Sequence, residues 1–179
     1  MSSTWFITGA SRGLGRELTE QALARGDRVA ATLRTPSQLD DLVAVNGDRL
    51  WVRQLDVTDT VQMGRVVQEA FTDHERIDVV VSNAGFGVFG AAEDVTNDQV
   101  EQMIATNLTA AIHLTRLVVP HLRRQGGGRL MQLSSMGGTL RSQPSRSTMP
   151  PSGALRAFMK LLLRRSHRSV FTRCWSSRA

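Results

Sequence analysis

The stretch from residue 8 to residue 15 reads Thr-Gly-Ala-Ser-Arg-Gly-Leu-Gly, and it constrains the fold of this chain more than any other feature. A short apolar run, Trp5-Phe6-Ile7, precedes it, and leucines at helical spacing follow it. The pattern predicts a strand, a glycine turn and a helix. Backbone that brings its amides up to a phosphate cannot carry Cβ atoms at the points of contact, so these glycines indicate a dinucleotide site.

Each glycine of this turn has its own expected role. Gly9 permits the sharp turn, Gly13 the approach of a phosphate, and Gly15 the close packing of the helix on the strand. The start of the helix offers unpaired N–H groups and the positive end of its dipole to an anion. An ordinary tight turn is the alternative, and the flanking strand and helix favour the dinucleotide site. The predicted cofactor-binding residues of the turn are Gly9, Ser11, Arg12, Gly13, Leu14 and Gly15.

Strand and helix patterns alternate along the rest of residues 1–138. Apolar runs predict further strands, and helical spacing of apolar residues predicts the helices between them. Such alternation is typical of the α/β class, and it predicts a Rossmann-type doubly wound parallel sheet with helices on both faces. The apolar stripe of the longest predicted helix consists of Val100, Met103, Ile104, Leu108, Ile112 and Leu117. The predicted strands are 28–33, 50–55, 77–82 and 129–133, and the predicted helices are 59–71 and 98–124.

Composition and charge narrow the class of protein. With 179 residues and 41% hydrophobic side chains, the chain has enough length for one domain with a sizeable core. It has neither an apolar run that could span a bilayer nor a charged and then apolar leader, so we expect a cytoplasmic protein. The single cysteine, Cys174, excludes an internal disulfide. Four scattered histidines predict no metal site: His74, His113, His121 and His167.

The net charge of +6 is unevenly distributed. Residues 139–179 contain eight arginines, one lysine and no acidic residue, which leaves 13 basic against 16 acidic residues in positions 1–138. The sequence therefore predicts two parts. Residues 1–138 form the dinucleotide-binding Rossmann domain, and residues 139–179 form a basic tail that is disordered or foreign to this domain.

The residues that follow the second predicted strand bear on the choice of cofactor. Arg34 comes directly after this strand, and no Asp or Glu occurs between Val29 and Leu39. An acid here would hydrogen-bond the ribose 2′-hydroxyl of NAD, whereas an arginine favours a 2′-phosphate. Arg12 can reach the same side from the glycine turn. We therefore expect NADP(H) rather than NAD(H); the alternative is that both arginines are solvated surface charges.

Polar and small residues follow the third and fourth strands. Asp56 and Val57 are predicted to close the adenine end of the pocket, although Asp56 is also a suitable cap for a turn before Thr58. The run Asn83, Ala84 and Gly85 is small where a backbone must pass a cofactor, and its amide side chain is able to tie neighbouring strands together.

One polar residue interrupts the apolar pattern of the long helix. A buried amide needs partners, so Asn107 is predicted either to stabilise a helix kink or to hold a water in the site. At the end of the fifth strand stand Ser134 and Ser135.

Taken together, these motifs resemble the short-chain dehydrogenase/reductase family over about residues 3 to 138. The glycine turn, the Asp56-Val57 pair and the run from Asn83 to Gly85 match the family's cofactor and sheet motifs. The resemblance implies that Asn107 and Ser135 are catalytic. It also implies hydride transfer between NADP(H) and a small-molecule carbonyl or secondary alcohol, with the serine orienting the substrate oxygen and the asparagine holding a relay water. Family members are homodimers or homotetramers.

The chain departs from this family after Ser135. The family carries a Tyr-x-x-x-Lys motif a short distance beyond the serine, whereas this chain has no tyrosine and a single lysine, Lys160. Since the tyrosine is the family's proton donor and acceptor, we expect little or no dehydrogenase activity from this chain. The fold is then incomplete at its C-terminal end, and the fifth strand is expected to form an uncovered edge.

A shift of reading frame would explain the tail. Suppose that, from Arg146 onward, the third base of each codon is read together with the first two bases of the next codon. With a suitable choice of synonymous codons, this shifted frame can encode Val-Tyr-His-Ala-Thr-Lys-Trp, and at the end of the chain it can encode Val-Leu-Val-Glu-Pro-Gly. Both strings are similar to the family's next segments. The hypothesis is an out-of-frame tail with a slip between Gly138 and Arg146. The alternatives are a genuine basic tail that binds nucleic acid or an anionic membrane, and a non-catalytic NADP-binding protein.

Overall fold

A single sheet of six parallel strands forms the centre of the molecule, in the order β3-β2-β1-β4-β5-β6. The computed structural model describes residues 2–88, 91–134 and 170–176. All of the predicted strands are present, which confirms the α/β class and the doubly wound order. The strands are β1 (Thr4–Thr8), β2 (Arg28–Leu33), β3 (Leu50–Gln54), β4 (Val79–Ser82), β5 (Gly128–Ser134) and β6 (Val170–Ser176).

Helices cover both faces of this sheet. Those that the sequence predicted begin and end within a few residues of the expected positions, and the short α2 was not predicted. The α-helices are α1 (Gly13–Ala24), α2 (Asp40–Asn46), α3 (Thr60–Asp73), α4 (Asn97–Ile104) and α5 (Ala110–Arg124). Short 3-10 turns are formed by Pro36–Leu39, Gly47–Arg49 and Ala92–Asp94, and Ala105–Thr109 is π-helical.

The central strands are buried on both faces, so their side chains divide the core into two clusters. Along β1, Phe6 faces one cluster and Ile7 the other, because successive side chains of a strand point to opposite faces. The first cluster packs β-strand residues against α3 and α5, where Leu114 is fully buried. The second packs them against α1 and the turn before α2, where Leu39 is fully buried.

Helices α4 and α5 form one continuous rod, as predicted, but the π-helical turn between them was not predicted. Most of the predicted apolar stripe contacts the core: Met103 is buried, and Leu108, Ile112 and Leu117 pack against the first cluster, whereas Ile104 is 41% exposed. A π turn holds more residues per turn than an α-helix, so the stripe facing the sheet changes phase there. Beyond it, the buried stripe is Ala111, Leu114, Val118 and Leu122.

The predicted tail contributes a strand. Residues Val170–Ser176 form β6, which pairs in parallel with β5 along the whole length of both strands. The expectation that β5 forms an uncovered edge is therefore wrong. A sequence signal was present and was missed, since four of the seven residues favour strands: Val170, Phe171, Thr172 and Trp175. Within the described ranges, no helix is long and apolar enough to cross a membrane.

Candidate functional site

Nearly all of the predicted site residues lie along one edge of the sheet. Because the strands are parallel, the segments after β1, β2, β3 and β4 all emerge at the carboxyl edge. The glycine turn follows β1, Arg34 follows β2, Asp56 and Val57 follow β3, and Asn83 follows β4. Ser135, the predicted catalytic serine, lies outside the described residues.

Close packing around Gly15 holds the start of α1 against the strands. A Cβ atom on Gly15 would lie 2.3 Å from the carbonyl oxygen of Gly9 and 2.4 Å from Nδ2 of Asn83. That amide nitrogen donates hydrogen bonds to the carbonyl oxygens of Thr8 and Gly9, both at 2.9 Å. Asn83 thus joins the end of β4 to the end of β1, the structural tie that its amide predicts.

Gly9 and Thr8 complete this junction. Gly9 has a φ of +70°, and a Cβ there would approach Cα of Ala84 to 2.9 Å, so glycine is needed for both conformation and space. The buried Oγ1 of Thr8 accepts hydrogen bonds from the backbone N–H groups of Asn83 at 3.1 Å and Ala84 at 3.2 Å. Thr8 was not among the predicted cofactor-binding residues. The signal available was a hydroxyl at the last position of a buried strand, directly before the glycine.

In contrast to Gly15, Gly13 faces open space. It has a φ of +57°, and a Cβ there would meet no atom within 4 Å. It begins α1, whose N-cap residue Arg12 makes no capping hydrogen bond through its side chain and whose first turn contains no acidic residue. Arg12 and Leu14 are exposed and Ser11 is half-buried. The turn therefore presents backbone N–H groups and an uncompensated helix dipole to a ligand, which suits a pyrophosphate.

Beyond β2 and β3, a positive and a negative side chain lie near each other. Hydrogen bonds from the hydroxyl and the backbone N–H of Thr58, at 2.7 and 2.9 Å, and the nearby charge of Arg34 lower the pKa of the Asp56 carboxyl. Both hydrogen bonds end on Oδ1 of Asp56. The turn-capping interpretation of Asp56 is thus correct, and it leaves open a further role toward an adenine. Arg34 is exposed.

Asn107 lies at the centre of the π-helical turn, and its amide contacts the backbone of Phe86. Its Oδ1 accepts from the backbone N–H of Phe86 at 3.0 Å, and its Nδ2 donates to the carbonyl of Phe86 at 2.6 Å. Gly85 lies against the same amide, since a Cβ on it would approach Oδ1 of Asn107 to 2.9 Å. The amide thus has partners at an irregular turn of the helix, and the role of holding a water stays a prediction. Phe86, which was not predicted as a site residue, is its partner.

Behind the ends of β1 and β4 the packing leaves a small cavity. Its lining includes Thr8, Val57, Ala84 and Thr106. Val57 and Ala84, both predicted as cofactor contacts, are therefore at the wall of one cavity. No cluster of three or more potential metal ligands occurs in the part of the chain that the structure describes.

Comparison with known proteins supports the family resemblance that the sequence motifs indicate. A model of the short chain dehydrogenase family matches residues 3–163, farther than the stretch to Gly138 that the motifs cover. A curated relative, Oxidoreductase BOA17 of Botryotinia fuckeliana, is 42% identical over 141 residues, which are 78% of this chain and 52% of that protein. The chain spans about half the length of the curated relatives it matches.

Solved structures share the fold. A short-chain dehydrogenase from Streptomyces avermitilis superposes with a TM-score of 0.86 at 29% identity, covering 99% of this chain and 72% of that one. The closed form of a serine dehydrogenase complexed with NADP⁺ gives a TM-score of 0.84 at 25% identity, covering 97% and 71%. Structures of this fold include complexes with NADP and with NAD.

Proposed function

Because this chain belongs to the short-chain dehydrogenase family, an oxidoreductase family that uses nicotinamide cofactors, we propose that its Rossmann part, residues 1–138, binds NADP(H) at the carboxyl edge of the sheet. The observation that carries the proposal is the pair of glycines at the start of α1. Gly15 is packed against Gly9 and Asn83, whereas Gly13 faces open space with a left-handed φ. One glycine is needed for the fold, and the other leaves room for a phosphate.

The preference for NADP(H) rests on charge. Arg12 and Arg34 are exposed at the ends of the two segments that flank the site, and the sequence places no acid between Val29 and Leu39. Two arginines offer planar, charge-assisted hydrogen bonds to a 2′-phosphate, whereas NAD recognition needs a carboxylate for the ribose hydroxyls. Two further segments complete the proposed cofactor-binding residues. The segment after β3 contributes Asp56 and Val57, and the segment after β4 contributes Asn83, Ala84 and Gly85.

The proposed reaction class is hydride transfer between the cofactor and a small-molecule carbonyl or secondary alcohol. In this reaction Ser135 orients the substrate oxygen. Asn107 holds the relay water: its amide makes one bond in each direction to Phe86, which leaves a second N–H and a second oxygen lone pair for the water. The chain has no tyrosine to donate the proton. We therefore infer that it binds the cofactor without turnover, and that residues 139–179 are an out-of-frame translation of the segment that carries the tyrosine.

A titration of the full chain with NADPH and NADH tests the cofactor claim. Tryptophan quenching or nicotinamide fluorescence gives both dissociation constants, and we expect NADPH to bind at least about tenfold more tightly. Gly13→Ala is the site variant: its Cβ would enter the space proposed for the phosphates and meet no protein atom within 4 Å, while the left-handed φ of +57° adds a backbone cost of about 1 kcal/mol. This variant should keep its fold by circular dichroism and lose most of its NADPH affinity. Unchanged affinity in Gly13→Ala would contradict the proposed site.

The frame hypothesis has its own test. The gene is sequenced from the codon of Ser134 past that of Ala179, and a variant with the frame restored is assayed with NADPH and a panel of aldehydes and ketones. Turnover by the restored protein and none by the chain as given would support the proposal. Turnover by the given chain would overturn it. If no other frame is open, salt-sensitive retention on nucleic acid or anionic vesicles would favour the genuine basic tail.

A further inference from the structure

Beyond the arginines expected to touch the cofactor, we propose that Arg16 is a positioning residue for the 2′-phosphate site. It holds the segment that carries Arg34 in place, and it acts through Asp41 rather than by touching the cofactor. The inference rests on the proposed binding of NADP(H) and deepens it, because it names a residue outside the contact set that tunes the choice between NADPH and NADH.

The guanidinium of Arg16 bridges two separate parts of the chain. It lies in the first turn of α1, and its Nε donates to Oε1 of Glu20 at 2.7 Å, one helical turn later. Its Nη1 donates to the backbone carbonyl of Gln38 at 2.9 Å, and its Nη2 pairs with the carboxylate of Asp41. Three different donor nitrogens are used, which the planar fork of an arginine allows and a lysine does not.

The bridged segment is the one that follows β2. It runs from Arg34 through the 3-10 turn Pro36–Leu39 to the start of α2. Leu39 fixes its inner side, since it is fully buried among residues of the second core cluster. Arg16 fixes its outer side, and the backbone N–H of Gln38 also donates to the carbonyl of Thr35 at 3.1 Å. The conformation of the four residues between Arg34 and Leu39 therefore has an apolar and a polar anchor.

The geometry links this anchor to cofactor choice. Arg16 is separated from Gly13 by two residues of the same helix, so its bridge sets the distance between the phosphate turn and the segment of Arg34. A 2′-phosphate would need both regions at once, whereas the pyrophosphate needs only the glycine turn. Preorganised groups bind more tightly because less ordering is required on binding. Loss of the bridge should therefore weaken NADPH binding more than NADH binding.

The test compares dissociation constants of the full chain and of variants for NADPH and NADH. Arg16→Gln should weaken NADPH binding about fivefold and NADH binding less than about twofold. Asp41→Asn, at a side chain that is 61% exposed, should change the ratio of the NADPH and NADH dissociation constants in the same direction without harm to folding. The double variant should be no worse than Arg16→Gln alone, since both changes break one bridge. Arg16→Lys should recover only part of the ratio.

A matched control is available at the other end of the same helix. Arg25 also pairs with a carboxylate, Oδ2 of Asp27 at 3.0 Å, but it lies beyond the last turn of α1. Arg25→Gln should leave the NADPH-to-NADH ratio unchanged. An equal loss for both cofactors in Arg16→Gln, or an unchanged ratio in Asp41→Asn, would overturn the inference and leave NADP(H) binding standing. A parent chain that binds neither cofactor would overturn the proposed function as well as the inference.

Discussion

The two ends of the sheet are built in opposite ways. At the amino edge, carboxylates close the structure: Asp27 accepts the backbone N–H of Ser3 at 2.9 Å, and Asp78 accepts that of Thr4 at 2.9 Å. At the carboxyl edge, α1 begins without a side-chain cap, and Gly13 faces open space. Backbone groups are satisfied internally at one edge and left available at the other.

This difference separates residues that stabilise the fold from residues that are free to bind. The amino edge also uses Arg76, which donates to the carbonyls of Gln125 and Gly127 and pairs with Asp78, so that β4 and the end of α5 are joined. At the carboxyl edge, Asn83 and Thr8 join β4 to β1 beside the glycine turn. The Nδ2 of Asn83 donates to the carbonyl oxygen of Thr8, and the backbone N–H of Asn83 donates to the Thr8 hydroxyl. At the carboxyl edge, the residues that stabilise the fold are therefore direct neighbours of those proposed to contact a ligand.

The largest expected effect is at Gly15, where the two functions meet. In Gly15→Ala the new Cβ would collide with the Gly9 carbonyl at 2.3 Å and the Asn83 amide at 2.4 Å, which are parts of the rigid junction. We expect a loss of about 3 kcal/mol in the free energy of unfolding, measured by urea denaturation. Gly64→Ala on α3 is the control: its Cβ meets nothing within 4 Å, and alanine should stabilise the helix by about 1 kcal/mol. Equal effects at both glycines would contradict the packing described.

At the amino edge, Asp27→Asn should cost about 2 kcal/mol at neutral pH. Burial alone would raise the pKa of the Asp27 carboxyl, but hydrogen bonds from Ser3, Arg25 and Trp5 outweigh burial and lower it below the ordinary 3.8. Its stabilisation is therefore present above the pKa of the unfolded chain and is lost as the pH falls through the lower folded value. Urea midpoints from pH 7 down to pH 2.5 should show a shallower acid loss in the variant. Asp98→Asn, at an exposed position in α4, should leave that loss intact.

The smallest effect concerns His74, at the end of α3. Burial and the charge of Arg28 lower its pKa below 6.5, and its Nε2 has no hydrogen-bond partner among the described residues. The unfolded chain thus takes up this proton at a higher pH than the folded chain does, so stability should fall as the pH drops below about 6.5. We expect a loss of about 1 kcal/mol between pH 7.5 and 5.5, reduced in His74→Phe. His121, also buried enough to have a lowered pKa, accounts for a remainder. An identical pH dependence in the variant would show that His74 does not contribute.

Local patterns were enough to predict most of the fold. The strand Arg28–Leu33 was predicted with its observed ends, because a continuous apolar run between polar residues has few other interpretations. The doubly wound parallel arrangement followed from the alternation of strands with helices and from the handedness of parallel crossovers. The cofactor residues were predicted because glycine, arginine and amide side chains follow strands, and all such positions in a parallel sheet share one edge.

Features that depend on contacts distant in sequence were not predictable. The bonds between Asn107 and Phe86 cross 21 positions, and no local pattern announces the π turn that they accompany. The role of Arg16 depends on Asp41, 25 positions away, whereas its sequence context shows only the pairing with Glu20 within the helix. Strand β6 was missed for another reason: its residues favour a strand, but the basic, acid-free stretch 139–179 was interpreted as a tail. Ser135 remains a prediction.

The π-helical turn Ala105–Thr109 lets this helix absorb a change in length. A π turn holds about one residue more than an α-helical turn, so a deletion of one residue there would allow a regular α-helix and leave α5 on nearly the same face. Leu114, Val118 and Leu122 would then stay in the core together. The same deletion within α5 meets no wide turn, and it would rotate every later residue of the helix by about 100°. An in-frame codon deletion is therefore tolerated at one point of this rod and as disruptive as several core substitutions at the next.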